Sequence, residues 1–229
     1  MNQNRRISAL AVTGLALAAA ALSGCTDRDT TSTTSTYTVT GPVTRIDATS
    51  LGGRITLVAG AGNSITVTEK VSYSSVEPQR SHEVTGGDLT LTNTGCAHGG
   101  GRCGVAYEIH APAGLDVHLN SGGGAIVVNG ADSGVEVHSD GGTVTSTALS
   151  AGVVDVHSGG GDTQLKFTTA PQTVTVDSAG GDASLQLPTG PYALTATTGG
   201  GNFSNSLGTD PAASRHLDVS TDGGTLTLS

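Results

Sequence analysis

From Leu115 to the C-terminus the chain alternates aliphatic and polar residues in short runs, each followed by a cluster of glycines. The runs are Leu115-Asp116-Val117, Val135-Glu136-Val137, Val154-Asp155-Val156, Val174-Thr175-Val176, Leu194-Thr195-Ala196 and Leu217-Asp218-Val219. A period of two puts the aliphatic side chains on one face of a strand. A second short run follows each glycine cluster and points inward through Ile126 and Val128, Val144, Leu165 and Phe167, Leu185 and Leu187, Phe203, and Leu226 and Leu228. Aligned on the last glycine, the units mark Gly124, Gly142, Gly161, Gly181, Gly201 and Gly224, at intervals of 18, 19, 20, 20 and 23 residues. Such a period means stacked units. Two strands per unit joined by a glycine corner predict an all-β, parallel β-solenoid-like stack of two-strand rungs of roughly 20 residues. Rungs about 4.8 Å apart give six repeats a height of about 29 Å. Glycine suits the corner because a sharp change of direction often needs positive φ and a side chain would strike the next rung. An antiparallel sandwich of hairpins also accommodates short strands, but positions that recur in register favour the stack.

Upstream the pattern is more diverged. Val43-Thr44-Arg45-Ile46, Gly52-Gly53-Arg54-Ile55-Thr56-Leu57, Ile65-Thr66-Val67 and Gly86-Gly87-Asp88-Leu89-Thr90-Leu91 read as the N-terminal part of the same domain, with a loop at Pro78 and the polar run Glu77 to Glu83. Residues 25–38 are Thr- and Ser-rich without apolar periodicity and predict a flexible tether ahead of a single β-repeat domain over 39–229. Residues 1–24 read as a targeting signal: Arg5 and Arg6 form a basic n-region, and Ala9 to Leu22 an apolar h-region. Leu22-Ser23-Gly24-Cys25 resembles the lipobox of bacterial lipoproteins, in which the Cys is diacylated and the chain is cut before it. That resemblance implies a mature protein beginning at Cys25, anchored by lipid to the outside of the cell membrane, with a strength set by about 0.8 kcal/mol per buried CH₂.

Composition narrows the function. Glycine accounts for 35 of 229 residues, roughly twice ordinary usage, while Trp is absent and aromatics make up 3%. A core of Val, Leu and Ile without aromatic anchors disfavours a bulky α/β enzyme. The formal net charge is -9, and without Arg5 and Arg6 it becomes -11. Nucleic acid is therefore excluded as a partner, because phosphate binding needs clustered Lys and Arg.

Gly160-Gly161-Asp162, Gly180-Gly181-Asp182, the opening Gly41-Pro42-Val43 and the run Tyr107 to Gly114 are similar to a bacterial family of domains of unknown function described as candidate adhesins. The resemblance spans Tyr37 to Ser229. It implies a β-solenoid-like surface domain and brings no catalytic residues.

Catalytic signals are thin. There is no Gly-x-Ser-x-Gly elbow and no His-Glu-x-x-His, and the glycine runs precede strands instead of helices, so they are not phosphate loops. No cofactor is implied. His118, His138 and His157, spaced 20 and 19 residues apart, are expected at equivalent outward positions on successive rungs, with Asp177, Thr197 and Ser220 continuing the line and Asp116, Glu136 and Asp155 forming an acidic column beside them. Imidazoles one rung apart offer candidate Zn²⁺ or Cu²⁺ ligands; a solvated polar face is the simpler expectation. With Cys25 acylated, Cys96 and Cys103 remain, and in an oxidising compartment they are expected to form a disulfide. Their competing role is a zinc site with His98 and His110. The sequence thus points to a non-catalytic, lipid-anchored surface domain that contacts wall polymer, another surface protein or its own copies. An accessory role in envelope-stress signalling is the alternative, and a glycan-active β-helix enzyme ranks behind both.

Overall fold

The computed structural model describes residues 30–96 and 102–229. The lipobox Cys25 and the targeting signal lie outside the described residues, as does His98. Among the described residues there are nineteen strands and no helix. They are β1 (Thr31–Val39), β2 (Arg45–Ser50), β3 (Ile55–Gly60), β4 (Ile65–Tyr73), β5 (Gln79–Thr85), β6 (Asp88–Gly95), β7 (Cys103–Pro112), β8 (Asp116–Ser121), β9 (Ile126–Asn129) and β10 (Val135–Ser139). The remainder are β11 (Val144–Ser146), β12 (Val153–Ser158), β13 (Thr163–Lys166), β14 (Thr173–Ser178), β15 (Ala183–Gln186), β16 (Ala193–Thr198), β17 (Phe203–Asn205), β18 (His216–Thr221) and β19 (Leu226–Leu228). One sheet runs β1-β4-β7-β3-β9-β11-β13-β15-β19-β17 and the other β16-β18-β14-β12-β10-β8-β2-β6-β5. The stack expected from the repeats is therefore present, with one strand of each rung in each sheet.

Alternation fills the space between the sheets. In one sheet Ala48, Leu91, Leu119, Val137, Val156, Val176 and Val219 form an unbroken buried column across seven rungs. Facing it, Leu57, Ile109, Val128, Leu165, Leu185 and Leu228 are buried in the other sheet. Parallel in-register pairing is what makes such columns possible, since a slip of one residue would turn every aliphatic outward.

The glycine corners show why the period is about 20 residues. An added Cβ at Gly124, Gly142, Gly161, Gly181, Gly224 or Gly201 would lie within 2.3 Å of the carbonyl oxygen of the corner glycine on the adjoining rung. A hydroxyl buried three residues earlier locks five of these six turns: Oγ of Ser121, Ser139 and Ser158 donates to the carbonyl of Gly124, Gly142 and Gly161 at 2.8 Å. Ser178 and Thr221 do the same to Gly181 and Gly224 at 3.0 Å. The Gly142 N–H in turn donates to Ser139 Oγ at 3.0 Å. A buried hydroxyl is tolerable here because both its donor and acceptor capacities are used.

Four features depart from the sequence expectations. First, the stack does not follow chain order. β18 and β19 insert between β14/β15 and β16/β17, so the last rung in space is the second to last in sequence. β2/β3 likewise inserts between β6/β7 and β8/β9. Phe203, expected to point into the core, is 48% exposed because its rung ends the stack.

Second, residues 31 to 38, expected to lie in a flexible tether, belong to strand β1, which pairs antiparallel with β4 from Thr31↔Tyr73 to Val39↔Ile65. Only Tyr37 and Val39 on β1 are partly buried, which is why no apolar period betrayed it. Third, the polar run expected as a loop is largely strand β5, a hairpin arm against β6 closed by Gly86 and Gly87 at φ of 64° and 96°. Every residue of β5 is exposed, as an edge strand allows. Fourth, the β6-to-β7 connection has no serine–glycine lock. Asn93 takes the place of serine in that column, and the Cys96–Cys103 disulfide closes the corner with Cα atoms 6.0 Å apart.

Two consequences are measurable. Gly142→Ala, which drives a methyl into the Gly124 carbonyl, should cost about 3 kcal/mol or more, at the upper end for overpacking. Gly141→Ala, whose Cβ meets nothing within 4 Å, should change the melting temperature little. Equal melting temperatures for the two variants would refute the close-approach account. The disulfide closes a small loop, so its reduction should cost about 2–3 kcal/mol by the chain-entropy model. Thiol titration of the unreduced protein should find no free thiol at Cys96 or Cys103.

Candidate functional site

The outer face of the sheet containing β8, β10 and β12 carries the histidines, but the register moves them. His118 pairs with Glu136 and Asp47, whereas His138 pairs with Asn120 on one side and His157 on the other. The column of three histidines is thus two residues out of register at His118: one column runs Asp47-His118-Glu136-Asp155 and its neighbour Thr49-Asn120-His138-His157-Asp177-Ser220-Thr197. The acidic column is corrected in the same way, since Asp116 lies opposite Arg45 and not Glu136. The cause is where the histidine sits on its strand: His118 stands six residues before its corner glycine, Gly124, whereas His138 and His157 stand four before Gly142 and Gly161, so spacing counted from histidine to histidine overshoots the register by two.

The correct register sets each of these histidines beside a carboxylate. Arg45 Nη2 lies 2.8 Å from His118 Nδ1, and Arg can only donate, so Nδ1 is the acceptor and the ring carries its proton on Nε2. That N–H points at Glu136, 3.2 Å away. His157 lies 3.3 Å from both Asp155 and Asp177, and His138 3.1 Å from Asp140. The His138 and His157 rings are 6.4 Å apart and tilted. Among the described residues no group of three His, Cys, Asp or Glu side chains is placed to hold a metal ion. The Cys96, Cys103, His98 and His110 zinc alternative fails for a plainer reason: both sulfurs are spent on each other. Asp116 itself is held below the ordinary carboxylate range, first by the Ser133 hydroxyl and then by the Gly134 N–H.

A second constellation escaped the sequence reading. At the N-terminal mouth of the stack, β1 and β5 are the free edges of the two sheets, and an open groove of about 790 Å³ lies between them. Its floor is Glu69, a carboxylate only 4% exposed. Tyr37 Oη donates to Glu69 Oε1 at 2.8 Å and Arg80 Nε to Glu69 Oε2 at 3.1 Å. His82 stacks on Tyr37 with ring centroids 4.2 Å apart. The Tyr107 hydroxyl is buried with no hydrogen-bond partner. A carboxylate engaged at both oxygens by a phenol and a guanidinium is a fastening, tying edge strands β1 and β5 to β4, and not a free base. The one available signal was a break in alternation, because Glu69 stands where Ile65, Val67 and Val71 predict an aliphatic.

Burial raises the phenol of Tyr37, aided by its bond to Glu69, and raises that of Tyr107, aided by the Glu69 charge. Burial also raises Tyr192, whose hydroxyl donates to Pro188 O at 2.8 Å.

A family model described as Toastrack DUF4097 matches residues 81–229. No curated protein matches the chain. Among solved structures the chain is similar to a candidate adhesin from Bacteroides fragilis, at 16% identity over 87% of this chain and 97% of that one, with a TM-score of 0.46. It is similar to a candidate cell adhesion protein from Clostridium sporogenes at 13% identity over 86% and 99%, with a TM-score of 0.44. A candidate adhesin from Parabacteroides merdae shows 12% identity over 86% and 96%, at 0.40.

The tyrosines set the behaviour in alkali. With raised folded-state values, the folded chain keeps phenol protons at a pH where the unfolded chain, titrating near 10.0, has released them. Their stabilisation is complete below about pH 10 and is lost as pH rises above it. Unfolding free energy measured by denaturant between pH 8 and 11.5 should fall across that window, and Tyr37→Phe should flatten the fall. An unchanged slope in the variant would remove Tyr37 from the account.

Proposed function

The chain belongs to the Toastrack DUF4097 family, and from that membership we propose that it is a non-catalytic, lipid-anchored domain outside the cytoplasm that works by contact with other surface molecules, in the manner of an adhesin. The last rung, β16/β17, is what supports contact as the role. On inner rungs the residues in register with Leu194, Ala196 and Phe203 are buried, such as Leu217, Val219 and Leu226. On the last rung Leu194 and Ala196 are only partly buried and Phe203 is exposed. Both strands also end their sheets, leaving a row of backbone N–H and C=O groups on each edge. A repeat stack that ends in an apolar interior layer has a surface made to be covered. At about 4.8 Å per rung, eight rungs put this end on the order of 38 Å from the mouth to which residue 31 leads.

Attachment of cells displaying the full chain tests the reading. Cells carrying Phe203→Glu, at equal surface abundance, should attach to one another and to neighbouring cells less than those carrying the wild type, with an unchanged melting temperature for the variant. Attachment indifferent to the presence of the protein would overturn the adhesin-like role. Attachment lost with His138→Ala but kept with Phe203→Glu would move the contact to the histidine face.

A further inference from the structure

We propose that the N-terminal corner of the stack is a membrane-contact surface that rests on the anionic headgroups of the bilayer holding the chain, an inference that depends on the anchor at Cys25. In a protein of net charge -9, three cations converge at this corner. Arg54, Lys70 and Arg102 are exposed and line two adjoining cavities of about 430 and 260 Å³, which share Lys70 and Ala106. Their floor is small: Gly52, Gly53, Gly104 and Ala106 leave the long cationic side chains standing above a shallow trough. Among the described residues the one carboxylate lining it is Glu108, 3.0 Å from His110.

Apolar side chains flank the cations. Leu51 is 51% and Val76 44% exposed. Both stand beside the Cys96 end of the disulfide, since a Cβ on Gly95 would come within 3.2 Å of Leu51 Cδ1, and Cys96 Sγ lies 2.9 Å from Val76 O. Exposed aliphatics beside Lys and Arg are what an interface of acyl chains and phosphate headgroups recognises.

The entry of the chain places this corner at the bilayer. Thr31 pairs with Tyr73, and Tyr73 with Cys103, in one row across β1, β4 and β7. From Cys25 to Thr31 a fully extended chain reaches at most about 20 Å. Farther along the same edge the corners become acidic, with Asp140, Asp162, Asp182 and Asp222 exposed at or beside them. An anionic surface therefore attracts one end of the edge and repels the rest, which stands the stack away from the membrane with the last rung outermost.

The two lysines of the chain, Lys70 and Lys166, make the test internal. The full processed protein, with its lipid, is reconstituted in neutral phosphatidylcholine vesicles, in vesicles with about a third phosphatidylglycerol, and in detergent, then treated with an amine-acetylating reagent and read by mass spectrometry. A gain of about five-fold in binding per cation at an anionic surface implies about a hundred-fold for three. Lys70 should therefore be acetylated at least about five-fold more slowly in anionic vesicles than in neutral ones, with Lys166 unchanged as the reference. Arg54→Gln combined with Arg102→Gln should remove the protection. Equal Lys70 reactivity in all three settings, or equal protection in neutral and anionic vesicles, would overturn the proposal. The mass of the Cys25 peptide reports the anchor separately. If Cys25 carries no acyl chain, the anchor reading fails alone; co-sedimentation of that chain with anionic but not neutral vesicles would then support the surface, and its absence would overturn it.

Discussion

The structure depends on how closely one backbone passes another at the glycine corners. Each corner carbonyl sits where the next rung's Cβ would be, so the rungs reach parallel pairing distance only if that residue has no side chain. The buried hydroxyl three residues earlier then satisfies the carbonyl that the turn removes from water, at a net gain of about 1 kcal/mol per bond and a larger penalty if it is lost. Glycine content, scarcity of aromatics and the recurring Ser-x-x-Gly pattern follow from this single contact. Val, Leu and Ile fill most of the thin slab between the sheets, and the sequence expectation of a core without aromatics is corrected by Tyr107, Phe167 and Tyr192, which are buried in it.

The two ends of the stack solve the problem of stopping in different ways. At the N-terminal mouth the rungs give way to antiparallel strands β1, β4 and β5, and the exposed interior becomes polar around Glu69, which is bonded to one edge strand through Tyr37 and to the other through Arg80. Burying a carboxylate is costly unless its oxygens are engaged, and here both are. At the other end the chain places its penultimate rung outermost and then returns to fill the gap behind it. That end keeps an apolar interior layer facing solvent. One end is closed by an ion pair and hydrogen bonds; the other leaves its interior layer uncovered.

Charge is distributed along the same axis. The cations at Arg54, Lys70 and Arg102 sit at the end where residue 31 enters, whereas the rungs beyond carry Glu136, Asp155, Asp177 and Asp218 on the outer face of the other sheet. Histidines within that ladder are each beside a carboxylate, which supplies local pairing without assembling the three converging ligands that a metal ion needs.

The repeat, the all-β class, the inward aliphatics and the pairing of Cys96 with Cys103 were all legible in the sequence, because each rests on local alternation, glycine spacing or elimination. What tertiary structure decided was everything that depends on which rung lies beside which. Parallel pairing aligns strands by their inward residues and corners, and His118 stands two residues farther from its corner glycine than His138 does, so the two fall in different columns. Rung order was hidden because β14/β15 can accept either following rung by the same backbone pattern, and only the completed stack shows that β18 takes the place. β1 and β5 escaped because edge strands bury little and so carry no apolar period. Glu69 was visible only as an exception in an alternating run; its partners, 32 residues before it and 11 after it, come together only when the two sheets close on each other.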